Sequence, residues 1–274
     1  MGNKLDVVVI GAGMIVHDQI LPSLYHLQRL GILGDISICA KSTKRIKPLH
    51  ESKFFENAFP GQTFTAYPEL STPAAENYPE LFKEVLSNMK PGNVAIIALP
   101  DHLHYMALKE AISRNQHILC VKPLVLTYRQ AKEIENIARE KGLFIGVEYH
   151  KRFDRRSLIA RRRYKNGEFG EFIIGEAKLI EPYYYRHSNF QNWFTCDATD
   201  PFVYIGCHYT DLVAFITGLL PVEVSVRGIK REFPNGKMAY MWASGRVAFE
   251  NGAILTLTNG LGYPDKGAGS NEQC

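Results

Sequence analysis

The chain has 274 residues, a length that favours two domains of modest size over one large core. With 46% hydrophobic and 22% charged residues it has an ordinary globular composition, and its net charge of +4 is too small for an extended nucleic-acid-binding track. The sequence enters a strand with no apolar signal region and holds no run that would span a bilayer, so we expect a cytoplasmic protein without a membrane partner.

Short apolar runs alternate with helix-length segments through the first 150 residues. The runs are strand-like and lie at Val7–Ile10, Ile36–Cys39, Val94–Leu99, Ile118–Val121 and Phe144–Val147. Helices are predicted over Leu103–Arg114 and Tyr128–Lys141, the second with Thr127 as its N-cap. Apolar strands joined by crossover helices indicate a parallel sheet covered on both faces, so we predict an α/β domain over residues 1–150.

A glycine-containing turn follows the first strand in the segment "VVVIGAGMIVHDQI". Gly11 permits the tight turn, and Gly13 lets the backbone at Met14 and Ile15 approach a pyrophosphate at a helix N-terminus. Val16 replaces the third glycine or alanine of the dinucleotide-binding pattern, so we expect the helix to pack slightly farther from the strand. The strand–turn–helix context favours a Rossmann dinucleotide-binding domain over a plain βα turn.

The end of the second strand, "ICAKSTKR", bears on which dinucleotide is bound. An acidic residue here would hold the ribose 2′-hydroxyl of NAD, but no carboxylate lies between Cys39 and Arg45. Lys41, Ser42 and Arg45 instead offer cations and a hydroxyl that suit a 2′-phosphate. We therefore predict NADP, with NAD possible, and a solvated basic turn as the alternative.

Lys122 interrupts the apolar segment "HILCVKPLVL" and is followed by Pro123. An ammonium group that loses water becomes a usable acid or base, because burial favours its neutral form. This pattern indicates a functional role for Lys122. The alternative is that its side chain reaches solvent past a strand end, as most lysines do.

The pattern changes after residue 150. Longer runs with partial alternation, joined by turns such as "PNGK" and "ENGA", predict a mostly antiparallel sheet with one face covered, in a second domain over residues 151–274. One helix is predicted over His208–Thr217, ending at Gly218. The last predicted strand, "AILTLTN", is followed only by the glycine-rich polar tail "YPDKGAGSNEQC", without a closing strand or helix.

Four segments together resemble the glucose-fructose oxidoreductase / inositol dehydrogenase / rhizopine-catabolism (Gfo/Idh/MocA) family over nearly the whole chain. They are "VVVIGAGMIV", "ALPDHLHYMALKEAISRNQHILCVKPL", "GVEYHKRFD" and "YIGCHYTDLVAFITG". Each is modest alone, and their order and spacing make the match specific. The resemblance implies an N-terminal Rossmann domain, an α+β domain with a mostly antiparallel open sheet, and a nicotinamide cofactor.

The resemblance also implies three catalytic residues. The lysine of the family's E-K-P motif maps onto Lys122, which would hydrogen-bond the reacting hydroxyl or carbonyl, and Val121 replaces the motif's glutamate. The family's D-x-G-x-H-x-x-D segment maps onto Tyr204, Gly206, His208 and Asp211. His208 would be the proton donor or acceptor, with a capping or core role as the alternative. Tyr204 stands in place of an aspartate and cannot orient His208 as a carboxylate would.

Further positions are predicted to bind ligands. Pro100 and His104 lie where the family's fourth-strand loop meets the cofactor, alongside Lys122. Predicted substrate contacts are Lys122, Tyr149, Arg152, Trp193, Tyr204 and His208. Tyr184 or Trp193 of the aromatic segment "PYYYRHSNFQNWF" would stack on a sugar ring, with packing at a sheet edge as the equal alternative.

The leading hypothesis is an NAD(P)-dependent oxidoreductase acting on a hydroxyl or carbonyl of a sugar, sugar acid or cyclitol. One alternative is a cofactor-retaining lyase or glycosidase with no net redox change. Another is an NADP-sensing regulator whose catalysis has lapsed, which Tyr204 and Val121 favour.

The remaining expectations concern metals, partners and completeness. The five cysteines lack zinc-type spacing, so no metal is expected, and the arginines of "RRSLIARRRYK" spread round a helix, which favours a solvated face over nucleic-acid binding. We expect a homo-oligomer formed through the second domain's sheet. We also expect the functional chain to continue beyond these residues, since the family's second domain has further strands.

Overall fold

Six strands form the first sheet of the chain, in a computed structural model that describes residues 4–268 and 271–274. They are β1 (Leu5–Ile10), β2 (Leu33–Cys39), β3 (Thr65–Tyr67), β4 (Val94–Ile97), β5 (His117–Val121) and β6 (Ile145–Glu148). All the pairings described are parallel, in the order β3-β2-β1-β4-β5-β6. The order reverses between β1 and β4, where the carboxyl ends of parallel strands form a crevice for ligands. The predicted Rossmann architecture is confirmed.

Helices cover both faces of this sheet. They are α1 (Leu21–Arg29), α2 (Thr43–His50), α3 (Lys53–Ala58), α4 (Leu81–Ser87), α5 (His104–Ser113) and α6 (Tyr128–Glu140). Val7 and Val9 pack on the side of α1 to α3, whereas Val8 and Ile10 pack on the side of α4 to α6. All four are at most 2% exposed, and burying each side chain contributes about 1.5–3 kcal/mol. The continuous apolar runs of the sequence therefore reflect burial on two faces.

A π-helical turn at Val16–Ile20 leads from the glycine turn into α1. Val16 itself is fully buried and packs in the same cluster as Val7 and Val9. A π-helical turn is wider than an α-helical one, so it leaves room for a branched side chain where the dinucleotide-binding pattern has glycine. Val16 is thus accommodated at the start of a π-helical turn.

A second compact unit begins at Tyr149, and the first ends at Glu148. Its sheet contains β7 (Ile174–Pro182), β8 (Pro221–Glu232), β9 (Met238–Phe249), β10 (Ile254–Tyr263) and β11 (Glu272–Gln273), in the order β11-β7-β10-β9-β8. Three of the four pairings described are antiparallel, whereas β7 and β10 run parallel. The predicted α+β unit with a mostly antiparallel sheet is confirmed. The expectation that no strand lies in the glycine-rich tail is wrong, because β11 pairs with the edge of β7.

Three α-helices of the second unit are α7 (Arg155–Lys165), α8 (Phe190–Trp193) and α9 (Cys207–Thr217). α9 follows a π-helical turn at Phe202–Gly206 and ends at Gly218, whose φ of 86° is the left-handed conformation that favours glycine. The predicted end of this helix is confirmed. Ile205 and Tyr209 pack against the buried residues of β7, β9 and β10, so this segment covers one face of the sheet.

The outer strand β8 is exposed along its whole length. It pairs with β9 on one side, and the buried clusters of the unit contain none of its described residues. Val222 and Val224 are 66% and 59% exposed. β8 therefore presents apolar side chains and an unpaired backbone edge within the described part of the unit.

Two sequence expectations concern membranes and thiols. Within the described residues, every helix is too short or too polar to cross a lipid bilayer. All five cysteines are free thiols, and Cys39 and Cys120 are buried, as predicted for core residues.

Candidate active site

Gly11 and Gly13 have different surroundings at the carboxyl end of β1. Gly11 has φ of 117°, its amide donates to the Cys39 carbonyl at 2.7 Å, and an added Cβ would lie 2.8 Å from the Ala98 carbonyl carbon and closer still to its oxygen. At Gly13 an added Cβ would meet no described atom within 4 Å. The packing of the chain thus explains why position 11 holds glycine, but it gives no reason for the glycine at position 13.

The residues after Gly13 form the first helical turn at this edge. Met14 is 56% exposed and Ile15 is half-buried, and both are helical. The Gly13 carbonyl accepts from the amides of Val16 and His17 at 3.1 and 3.2 Å. The first amides of a helix lack intrahelical acceptors, and together with the open space at Gly13 they form a site suited to phosphate.

The predicted 2′-phosphate residues lie just after β2. Lys41 and Arg45 are exposed, and Ser42 precedes α2 at its N-cap without a side-chain capping bond. Lys41 and Arg45 form no ion pair with another described residue, and no carboxylate lies between Cys39 and Arg45. Lys41 on the loop and Arg45 in the first turn of α2 thus place two cations at this helix N-terminus.

Lys122 is the first residue beyond β5 and is half-buried. β5 pairs with β4, and β4 with β1, so all three strands end at the same edge of the sheet. Lys122 and the glycine turn therefore lie on one side of the first unit. β5 ends at Val121, the residue at which the predicted strand ends, so Lys122 lies directly past the strand end.

The cofactor-loop residues Pro100 and His104 lie between β4 and α5. Pro100 is half-buried and begins a short 3₁₀ turn, Asp101–Leu103. His104 is fully buried, with Nδ1 2.7 Å from the Pro123 carbonyl oxygen and Nε2 2.7 Å from the Leu99 carbonyl oxygen. The structure brings His104 next to the Lys122–Pro123 segment, although the two are distant in sequence.

His208 lies in the second unit, at the start of α9. It is buried, and its ring makes edge contacts with those of Tyr149 and His150, at centroid distances of 6.0 and 4.9 Å. Burial, with Cys207 and Asp211 nearby, raises the pKa of the Tyr149 phenol well above its usual range. The Tyr149 phenol is therefore harder to deprotonate than that of an ordinary tyrosine. His150, which is the other imidazole beside His208, was not among the predicted site residues.

Arg152 is engaged with Asp211 of α9. Its Nε donates to Asp211 Oδ2 at 2.8 Å, and its Nη2 donates to Asp211 Oδ1. The guanidinium also lies over the rings of Tyr149 and Phe215, 5.4 Å from each centroid. A planar fork suits this bidentate pairing, which joins the segment of Tyr149 to the helix of His208.

Tyr204 and Trp193 belong to an aromatic cluster of the second unit. Their ring centroids are 5.8 Å apart, and each also packs against Phe190 and Phe194, the latter fully buried. This geometry is what sheet-edge packing predicts for both rings. Tyr184 is different, because it is 49% exposed and lines a cavity of about 190 Å³ together with Glu181 and Asp265.

Asn259 is a buried polar residue that the sequence analysis missed. It lies on β10 with 0% exposure, and neither amide atom has a hydrogen-bond partner in residues 4–268 and 271–274. An added Cβ on Gly206 would lie 2.8 Å from its Oδ1, so Gly206 allows this close approach. A lone asparagine in the apolar run "AILTLTN" was the available signal.

The family match covers both units. Residues 5–149 match the family described as "Oxidoreductase family, NAD-binding Rossmann fold", and residues 158–269 match the Gfo/Idh/MocA C-terminal domain. The chain belongs to the Gfo/Idh/MocA family. The resemblance carried by the four sequence segments is confirmed, and the first unit is an NAD-binding Rossmann domain.

Curated Gfo/Idh/MocA relatives match parts of the chain. An uncharacterised oxidoreductase of Schizosaccharomyces pombe is 32% identical over 99 residues, which are 36% of this chain and 27% of that protein. The D-glucoside 3-dehydrogenase of Escherichia coli is 27% identical over 144 residues, 51% of this chain and 39% of that protein. The chain thus spans less than half the length of these curated relatives.

Solved structures show the same fold. The myo-inositol 2-dehydrogenase of Lactobacillus plantarum superposes with a TM-score of 0.72 at 17% identity, over 99% of this chain and 76% of that one. The scyllo-inositol dehydrogenase of Lactobacillus casei, with NAD(H) and scyllo-inositol bound, gives 0.70 at 13% identity and the same coverage. At these identities the likeness concerns the fold alone.

The metal-ligating residue types do not cluster in the described part of the chain. Among residues 4–268 and 271–274, no group of three or more His, Cys, Asp or Glu side chains is arranged to hold a metal ion.

Proposed function

We propose that this protein is an NAD(P)-dependent oxidoreductase that acts on a hydroxyl or carbonyl group of a sugar, sugar acid or cyclitol. The observation that carries the proposal is the open space at Gly13, at the switch point of a sheet whose family is NAD-binding. A side chain there would meet nothing in the described chain, so a glycine is needed only if a ligand approaches the backbone. A dinucleotide pyrophosphate at the helix N-terminus meets that need.

The cofactor and the chain divide the chemistry between them. A bound nicotinamide supplies hydride transfer. Gly11, Gly13, Met14 and Ile15 would hold its pyrophosphate, and Pro100 would line the nicotinamide side. Lys122 would hydrogen-bond the reacting oxygen, and His208 would take or give its proton. Tyr149, which burial makes harder to deprotonate, would donate a hydrogen bond to a substrate oxygen.

NADP is the proposed dinucleotide, with NAD as the second choice. The support is the pair of exposed cations Lys41 and Arg45 on either side of the start of α2, where an acid would select the 2′-hydroxyl of NAD. A 2′-phosphate needs such donors.

The carbohydrate-like substrate is supported by relatives and by one feature of the second unit. A relative from Escherichia coli is a D-glucoside 3-dehydrogenase, and two solved structures of the same fold are inositol dehydrogenases. Tyr184 offers an exposed ring beside the carboxylates of Glu181 and Asp265, a combination that suits a ring with hydroxyl groups. Arg152, Trp193 and Tyr204 remain predicted substrate contacts, although each already packs or pairs within the unit.

A redox-neutral reaction is the second candidate. One relative, 23% identical over 197 residues, is the 2,7-anhydro-N-acetylneuraminate hydratase of Escherichia coli, whose name denotes addition or loss of water. In such a reaction transient oxidation would acidify a neighbouring C–H, and the cofactor would be regenerated on the enzyme.

Two measurements test the function. Thermal-shift titrations with NADP and with NAD should raise Tm above that of the protein without cofactor, because a bound dinucleotide stabilises the folded state. If neither dinucleotide raised Tm, the cofactor assignment would be refuted. A panel of sugars, sugar acids and cyclitols should then give cofactor reduction or oxidation. Product formed without net change in a retained cofactor identifies the redox-neutral class.

We further propose a homo-oligomer that forms through the sheet of the second unit in a cytoplasmic protein. The exposed valines of β8 and its unpaired edge support this assembly. Light scattering coupled to size-exclusion chromatography measures the oligomeric state directly, and a monomer at micromolar concentration would refute it.

A further inference from the structure

The imidazole of His104 is buried and directed at the chain's own backbone. Its exposure is 0%, and its two nitrogens lie 2.7 Å from the carbonyl oxygens of Pro123 and Leu99. The Cys120 thiol lies 3.6 Å from Nδ1. With both nitrogens facing carbonyls and no surface exposed, the ring has no polar atom left for a direct contact with a cofactor.

The two carbonyls belong to the exits of neighbouring strands. Leu99 follows the end of β4 at Ile97, and Pro123 follows the end of β5 at Val121. β4 and β5 pair in parallel, and their sheet hydrogen bonds end before these residues. His104 therefore bridges the segments that follow β4 and β5, which sheet hydrogen bonds no longer join.

We propose that His104 is a positioning residue that ties the exit of β5 to the exit of β4 and so fixes the place of Lys122. The inference rests on the proposed function, in which Lys122 meets the reacting oxygen. Lys122 directly precedes Pro123, whose carbonyl is one of the two attachment points. An error of about 1 Å in a catalytic group lowers rates by on the order of 100-fold, so a fixed backbone beside Lys122 has a catalytic consequence.

The number of ring protons decides how strong the bridge is. A neutral imidazole has one N–H and donates to one carbonyl at a time, whereas the doubly protonated ring donates to both. Substitution of His104 by an apolar residue removes the donor from one carbonyl oxygen in the first case and from both in the second, and such groups seek other partners when the loop can move. Loss of the ring should therefore loosen the Lys122 segment first.

Amide substitutions separate the two attachment points. An asparagine amide reaches the position of Nδ1, which faces Pro123, and a glutamine amide reaches the position of Nε2, which faces Leu99. His104→Asn should keep the tie to the Lys122 segment, and His104→Gln should lose it, although both introduce the same functional group. His104→Phe retains a ring of similar size and removes both bonds.

Trace acetylation of Lys122, quantified by mass spectrometry against the exposed Lys165, measures how accessible the Lys122 amine is to the reagent. The measurement needs neither substrate nor cofactor. His104→Gln and His104→Phe should raise the relative rate at Lys122 by about 2- to 10-fold, the range that one hydrogen bond allows, and His104→Asn should stay near the parent. Equal rates for the Asn and Gln variants, a higher rate in Asn than in Gln, or an unchanged rate in Phe would overturn the proposal. Once a substrate is known, kcat should fall in His104→Gln and His104→Phe and stay near the parent value in His104→Asn, with little change in KM for the cofactor.

A measurement on the unsubstituted protein covers the case in which the variants fail to fold. Nitrogen-15 NMR of labelled histidine should show a His104 ring N–H that exchanges slowly with water and is hydrogen-bonded. A rapidly exchanging ring would contradict the bridge. Both experiments are independent of turnover, so their failure differs from failure of the dehydrogenase proposal, which cofactor binding and activity test.

Discussion

Alanine substitutions at Gly11 and Gly13 should affect different properties: the first should lower the stability of the fold, and the second should weaken dinucleotide binding. At Gly11 the new Cβ would lie 2.8 Å from the Ala98 carbonyl carbon, and the backbone has φ of 117°. Backbone strain in that region costs about 1–3 kcal/mol and overpacking a further ~1–3 kcal/mol. We expect Gly11→Ala to lower the free energy of unfolding by about 2–6 kcal/mol, which for a unit of this size lowers Tm by on the order of 10 °C.

Gly13→Ala should leave folding nearly unchanged. Its new Cβ meets no described atom within 4 Å, and φ is not in the strained region, so the change in stability should stay within about 0.5 kcal/mol. The same methyl group would stand where a pyrophosphate approaches the backbone. We therefore expect dinucleotide affinity to fall about 10-fold or more, equivalent to about 1.4 kcal/mol.

Thermal unfolding without ligand and fluorescence titration with NADPH and NADH measure the two effects separately. Each variant serves as the control of the other, because both replace glycine by alanine in the same turn. A Gly13→Ala protein that binds both dinucleotides like the parent would refute the assignment of this turn as the phosphate site. A Gly11→Ala protein of unchanged stability would refute the packing argument.

Three other predictions concern the cofactor, the proposed catalytic lysine Lys122 and alkaline pH. Replacing Lys41 and Arg45 by alanine should weaken NADP binding and leave NAD binding nearly unchanged, because only the 2′-phosphate would meet these cations. Titration with each dinucleotide measures the two affinities, and equal losses for both would contradict the prediction. Lys122→Ala should lose on the order of 10²–10⁴-fold in kcat with little change in cofactor affinity, and greater damage from Tyr204→Phe would make the tyrosine the principal acid. Burial raises the pKa of Tyr25 to about 12, against about 10 in the unfolded chain, so the unfolded state releases this proton first. The free energy of unfolding should therefore decrease between about pH 10 and 12, and denaturant titrations of Tyr25→Phe should show a shallower decrease than the parent.

The first unit was largely predictable because its signals are local. Val7–Ile10 is apolar at every position since both faces of β1 are covered, and Thr127 accepts from the Gln130 amide at 3.3 Å as an N-cap should. The same holds for one helix end of the second unit, where Gly218 ends α9 in the left-handed conformation. Each of these features depends on a few adjacent residues, which is the range over which a sequence pattern is informative.

The features that escaped prediction depend on residues far apart in sequence. Neither the parallel pairing of β7 with β10 nor the pairing of β11 with β7 leaves a local mark, because strand partners are chosen by packing across the sheet. The surroundings of His104 and Arg152 follow from the same cause. Their ligand contacts stay predictions, and the partners that the structure shows are a backbone carbonyl pair and a carboxylate brought near by folding.

The parallel pairing of β7 and β10 has a consequence for synthesis on the ribosome. β7 is made first among the strands of its sheet, yet its partner β10 begins only at Ile254, after the residues of β8 and β9, which pair with each other. At about 5–20 residues per second, β7 waits on the order of several seconds with both backbone edges unpaired. The nascent second unit is therefore most open to chaperones and to wrong strand partners while the β8–β9 hairpin is being made, and slower translation across that hairpin would lengthen the exposure.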